Sequence, residues 1–278
     1  MGSFAAELLK LRKRPATWVM VAVSVVALAL FGYVFTYIFV VGAPEDVAPA
    51  PEAAEIFREY LLPENFLINV LSNGFVGFGS ALALVLGALA IGSEYGWETF
   101  RSALIQKPGR TALFTGKLLA VAAVLLVFTL AMLAAGALSS YVVALLEGAS
   151  ASWPPAGEIL RAAGAGWLVL ATFCSLGILL ATLFRGTALA IGLGLVYLLV
   201  LENLFLGLAP QNEFVESIGQ ALPTRNALDL AASFGELPPG FAGPEEAAEP
   251  ARAALVLGAY LAGFALLSLL LFRRRDLP

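Results

Sequence analysis

Six long apolar runs, separated by short charged connections, constrain this chain more than any other feature of its sequence. They cover roughly residues 16–41, 67–91, 118–146, 162–184, 187–209 and 253–272. A helix needs about 20 apolar residues to cross a hydrocarbon core of about 30 Å. Each run reaches that length, and none holds more than one Asp, Glu, Lys or Arg. Lipid offers the backbone no hydrogen-bond partners, so an uninterrupted span of this kind has to be helical. The sequence therefore predicts an all-α membrane protein, with six transmembrane helices in a single transmembrane domain over residues 1–278.

What lies between the runs excludes several classes of function. The longest connection is only about 45 residues, too short for a nucleotide-binding or catalytic domain of ordinary size. The chain is 13% charged, against about 25% for a soluble domain. It has no histidine and one cysteine, Cys174, inside the fourth run. That removes a His/Cys metal site, a disulfide framework and a His-based triad together, and Cys174 reads as a small packing residue. No Gly-x-Ser-x-Gly nucleophile elbow occurs. The nearest approach to a P-loop, Gly109 to Gly116-Lys117-Leu118, has the wrong spacing and a leucine where the hydroxyl should stand. Lys117 reads instead as a membrane-boundary lysine. A membrane enzyme is the least favoured class, and no cofactor or metal is expected on this chain.

Charge gives the expected orientation, because Lys and Arg favour the cytoplasmic ends of spans. With the N-terminus inside, the cytoplasmic face holds Lys10, Arg12, Lys13, Arg14, Arg101, Lys107, Arg110, Lys117, Arg185, Arg273, Arg274 and Arg275. The other face keeps only Arg58, Arg161, Arg225 and Arg252, and collects most of the acidic residues. Both termini are thus expected in the cytoplasm. The first run is longer than the ~7–15 residues of a signal-peptide core and has no clean cleavage site after it, so it reads as a retained span.

Two cytoplasmic segments carry pattern. Residues 4–13 read as an amphipathic interfacial helix, with Phe4, Ala5, Leu8, Leu9 and Leu11 on one face and Glu7, Lys10, Lys13 and Arg14 on the other. Pro15 ends it, and Arg12 is placed to snorkel toward headgroups. An ordinary basic anchor with no role of its own fits the same residues. Between the second and third runs, Trp97, Phe100 and Leu104 recur at helical spacing, with Glu98 and Arg101 three apart on the flank. Pro108-Gly109 makes a turn, and Thr111 is placed to cap the helix that follows. Such an aromatic ridge suits docking into a partner's groove, and equally suits anchoring at the membrane interface.

Within the membrane, Glu202 is the one deep acidic residue, beside Asn203. Intramembrane acids often lie on ion or substrate paths, while Glu202 and Asn203 also read as helix–helix glue. Small residues recur at Gly74, Gly77, Gly79, Gly164, Gly166, Gly192, Gly194, Ala259 and Gly263. They are expected to let helices approach closely. The outer connections are acidic. One offers a short helix over residues 51–62; the last holds two apolar-faced segments, around Phe214, Val215 and Ile218 and from Pro223 to Leu230. These two read as short outer re-entrant or interfacial helices between spans 5 and 6. Residues 238–250 read as an acidic loop.

Taken in order, these features resemble an ABC-2 type transporter permease, the membrane subunit of an ATP-driven exporter. The resemblance covers essentially the whole chain. It rests on Glu7 with the basic run Lys10-Leu11-Arg12-Lys13-Arg14, and on Glu94-x-Gly96 through Thr99-x-Arg101 to Lys107-Pro108-x-Arg110 and Gly116-Lys117. The six-span layout and Arg273-Arg274-Arg275-Asp276 also fit. It implies that Phe4, Glu7, Leu8, Leu11 and Arg12 belong to a connecting helix. It also implies a cytoplasmic coupling helix between spans 2 and 3, over residues 94–106. There Glu94, Trp97, Glu98, Phe100, Arg101 and Leu104 would meet an ATPase subunit.

The implied partners are cytoplasmic ABC ATPase subunits carrying ATP and Mg, a second permease copy or homologous half, and the bilayer of the inner membrane, with no nucleic acid. Spans 1, 2 and 5 would line the path. Two rivals come from other classes. A self-sufficient secondary carrier or channel would depend on Glu202, and a scaffold or immunity protein would tolerate changes in residues 94–106. No internal repeat with broken helices, as carriers often show, is visible.

Overall fold

The computed structural model describes residues 2–42, 50–96, 109–208, 213–238 and 249–274. Among them there is no β-strand, and six helices are long and apolar enough to cross a membrane. They are Pro15–Val41, Pro63–Tyr95, Arg110–Glu147, Ala156–Phe184, Thr187–Leu208 and Pro250–Arg274, referred to below as spans 1 to 6. Shorter helices cover Gly2–Lys13, Pro51–Leu61, Glu213–Gly219 and Pro223–Ala232.

Local chemistry sets the breaks. Arg14 takes an extended conformation, as a residue before proline does, and Pro15 occupies the first turn of span 1 where its missing N–H is no loss. Span 3 stops at Gly148, whose left-handed backbone (φ 63°) no β-carbon opposes, and the Ala149 N–H closes the end on the Ala144 carbonyl at 2.9 Å. The N-cap of span 3 is Gly109, with no side-chain cap, and the helix runs unbroken from Arg110. The expected Thr111 cap is therefore absent: the backbone turn at Gly109 already starts the helix.

Spans 2 and 4 form the axis of the bundle; two-thirds of the most apolar window of each is buried, against 17% for span 6. Their backbones touch. A β-carbon built on Gly87 would lie 2.1 Å from the Cys174 carbonyl oxygen, and one on Gly177 would lie 2.0 Å from that of Leu84. Span 4 also meets span 6, where the Thr172 hydroxyl donates to the Leu257 carbonyl at 3.2 Å. The sequence expectation about small residues needs correcting. Gly164, Gly192 and Gly263 have open space where a β-carbon would go, and the nearest atom to one on Gly77 is the Ser72 carbonyl oxygen at 3.5 Å. Gly74, Gly79, Gly166 and Gly194 do face close neighbours, and the tightest crossing uses Gly87 and Gly177. Glycine is frequent throughout these spans, so the residue type alone does not say which ones face protein.

Three spans widen locally into π-helix: Leu28–Val34 in span 1, Val70–Gly79 in span 2 and Tyr197–Glu202 in span 5. A π-turn loosens the regular ladder, and in lipid its backbone groups need partners. Side chains supply several. The Asn69 amide donates to the Gly32 carbonyl at 2.9 Å, Thr36 to that of Phe31 at 3.1 Å, and Asn203 to those of Leu198 and Leu199 at 3.2 and 3.1 Å. Around Asn69, the Asn73 amide donates to the Asn69 side-chain oxygen and to the Tyr60 hydroxyl. Tyr60 and Ser72 share a 3.0 Å hydrogen bond. This chain of polar groups ties the helix Pro51–Leu61 to spans 1 and 2.

Candidate functional site

The strongest concentration of chemistry is a charged cluster where the N-terminal helix meets spans 2 and 3. The N-terminal helix buries Leu11 and Glu7 and half-buries Phe4 and Leu8, a face spaced for helical contact. It lies against span 3 at Gly116, where a β-carbon would stand 3.0 Å from the Ser3 β-carbon and 3.1 Å from the Phe4 nitrogen. Lys117 is the next residue, and Glu94 ends span 2 nearby.

Lys117 Nζ donates to Glu7 Oε2 at 2.5 Å and to Glu94 Oε1 at 2.6 Å. Lys10 Nζ donates to Glu7 Oε1 at 2.7 Å and reaches Glu94 Oε1 at 3.3 Å. Glu7, Glu94 and Lys117 are each at most 3% exposed, whereas the Lys10 side chain keeps 44% of its surface. Two carboxylates and two ammoniums thus neutralise one another across three helices, the arrangement a buried charge requires. Next to it, Arg14 Nη1 donates to the Leu89 carbonyl at 3.3 Å, a second tie from the elbow to span 2.

The protonation equilibria follow this geometry. Burial alone would raise the Glu7 pKa, but Lys117 and then Lys10 outweigh it and hold the carboxyl below its ordinary 4.5. Burial alone would lower that of Lys10, but Glu7 and Glu94 outweigh it and hold the ammonium above its ordinary 10.5.

Here the sequence reading of the N-terminal helix is corrected. It set Glu7 on the polar face and Leu9 on the apolar one; in the structure Glu7 is buried and Leu9 is 51% exposed. The face that packs is chosen by Lys117, a charged partner on another helix that a hydropathy pattern does not contain. Lys117 is likewise no simple boundary lysine, being closed in by two glutamates. One signal was present: Glu7, Glu94, Glu98 and Asp276 are the few acids among the many bases assigned to that face. A minority charge in such a setting asks for a partner. Of the other residues read as a docking ridge, Trp97, Glu98, Phe100, Arg101 and Leu104 lie outside the described residues. Arg12 is exposed, at the elbow.

A second buried acidic side chain stands at the opposite end of the bundle. Glu202 is fully buried, and its Oε2 accepts the Thr224 backbone N–H at 2.8 Å. Pro223 and Thr224 open the helix Pro223–Ala232, so a carboxylate from span 5 occupies the positive end of that helix. Tyr197, from the same π-helical segment, interacts with the same carboxylate. Among the described residues the Asn203 amide serves carbonyls of its own span, a self-contained role where the sequence suggests inter-helix glue. Glu202→Gln, which keeps an acceptor for the Thr224 N–H, is expected to leave thermal stability near that of the parent. Glu202→Leu orphans that amide and is expected to destabilise by about 1–3 kcal/mol, read as the unfolding midpoint in detergent. Equal midpoints for the two variants would remove the capping role.

With this geometry in view, comparison with known proteins supplies a family: the model described as ABC-2 family transporter protein aligns with residues 1–277. No match was found among the curated proteins.

Proposed function

Because the chain belongs to the ABC-2 family of transporter proteins, we propose that it is the membrane half of an ATP-driven exporter in which the Glu7–Lys10–Glu94–Lys117 cluster carries force into the bundle. The chain is a transporter permease and an integral membrane protein, with six helices able to span. In the proposed assembly it pairs with a second copy or a homologous half in the inner membrane. Its N-terminal helix and the ends of spans 2 and 3 near the cluster face the cytoplasm. Two cytoplasmic ATPase subunits hold ATP and Mg and engage the segment 94–106.

The observation that carries this reading is the position of Glu94. It stands three residues before Trp97, at the root of the proposed docking segment, and is joined through Lys117 to span 3 and to Glu7 on the N-terminal helix. Displacement of the segment then moves three helices together or has to break a buried ion cluster, which is strongly unfavourable. At the other end, Glu202 joins span 5 to the helix Pro223–Ala232, so a movement of span 5 would pass to that helix. Spans 1, 2 and 5, the proposed path-lining set, are the spans with π-helical segments among the described residues. Such segments are frequent at functional sites.

The test is purification of tagged protein from its native cells in mild detergent. A P-loop ATPase is expected to co-purify in stoichiometric amount and to be lost from Trp97→Ala/Arg101→Glu, while that variant still inserts and elutes as a single species. Retention of the ATPase by the variant would overturn docking through residues 94–106. A self-sufficient carrier would instead require ionisable Glu202: complete loss of transport in well-folded Glu202→Gln, with no ATPase present, would favour it.

A further inference from the structure

We propose that the elbow between the N-terminal helix and span 1 is a binding site for one anionic phospholipid, its phosphate on Arg12 and an acyl chain in the groove beneath. A groove of about 170 Å³ opens between this elbow and span 3. Leu8, Trp18, Val21, Ala123 and Val124 form its walls, and among the described residues Arg12 is the one ionisable group lining it. Trp18 fixes the shape. Its indole N–H donates to the Arg12 carbonyl at 2.8 Å, spanning the break at Pro15 and holding Arg12 beside the groove.

The charges of the N-terminal helix divide by function. Glu7 and Lys10 are taken up by the buried cluster. Arg12 and Lys13 are exposed, and among the described residues neither has a carboxylate partner. An apolar groove in a membrane protein suits a flexible hydrocarbon chain, and a guanidinium at its rim pairs with a phosphate through parallel N–H bonds. Among the described residues no acidic side chain lines the groove to attract the ammonium of a zwitterionic headgroup. A net negative lipid therefore gains where a neutral one does not. The site does not depend on which partner drives transport.

The experiment uses full-length protein in phosphatidylcholine vesicles containing a trace of chain-spin-labelled phosphatidylglycerol or phosphatidylcholine. The motionally restricted fraction of each label is read by electron spin resonance. The parent protein is expected to favour phosphatidylglycerol by about fivefold, the effect of one basic residue at a membrane surface. Arg12→Gln is expected to abolish that preference. Ala123→Phe, or Val127→Trp at a more exposed lining position, fills the groove without altering charge and is expected to do the same. A preference that survives both groove-filling variants would overturn the proposal in favour of diffuse surface attraction. A parent protein with no preference would overturn it outright.

Discussion

Lys117→Met is expected to destabilise the protein by about 3–5 kcal/mol, the usual effect of removing one partner from a buried ion pair. The magnitude follows from what stays behind. Glu7 and Glu94 are almost fully buried, and without Lys117 the half-exposed Lys10 is the one ammonium left to serve both among the described residues. Like charges would then face one another in a medium that screens them poorly. The unfolding midpoint in detergent and the monodisperse fraction on size exclusion should both fall.

Adding Glu7→Gln and Glu94→Gln to Lys117→Met is expected to recover most of the loss, since a neutral set of similar volume leaves no buried orphaned charge and the half-exposed Lys10 can turn to water. That triple variant should fold yet transport poorly if the ion cluster transmits force. A single variant as stable as the parent would show that the cluster is not sealed from water.

The same cluster fixes a pH window. A depressed carboxylate contributes stability that is fully present above its ordinary pKa and lost as pH falls through the folded value; a raised ammonium contributes below its ordinary pKa and loses it as pH rises through the folded value. From Glu7 and Lys10, the contribution is whole between 4.5 and 10.5 and declines outside that range.

Gly177→Val is expected to be comparably severe for a steric reason. Its β-carbon would meet a main-chain oxygen of span 2 at 2.0 Å, and the opposing Gly87 is blocked in the same way by span 4. No rotamer change relieves a clash with backbone, so the two central helices have to separate. Overpacking of this kind costs about 1–3 kcal/mol where neighbours can adjust, and the upper end applies here because they cannot. Gly164→Val, in the same span with open space at its β-position, is the control and should melt with the parent. Equal midpoints for the two valine variants would place the contact of spans 2 and 4 elsewhere.

Much of the architecture was legible because lipid allows few solutions. A long apolar run has to be a helix, so the six spans and the short helices Pro51–Leu61 and Pro223–Ala232 could be read from hydropathy and proline positions. The site was legible only in its members. Glu7 and Glu94 could be singled out through resemblance, but their burial depends on Lys117, over a hundred residues from Glu7, and no local pattern encodes that meeting. The π-helical turns were not legible at all. They arise where glycine and side-chain amides relax one helix against another, as Asn69 does at Gly32, and periodicity in either helix of that contact looks ordinary.

The contact between Gly87 and Gly177 also has a consequence in time. Span 2 leaves the ribosome about 90 residues before the part of span 4 that covers it, which at about 5–20 residues per second is a delay of roughly 5–20 s. For that interval the glycine-lined face that span 4 later covers has no permanent neighbour. The insertion machinery, or span 3 packed provisionally, must shelter it. A mutation that slows synthesis between residues 96 and 160 would lengthen the exposure without touching the finished protein, and yield rather than stability would record it.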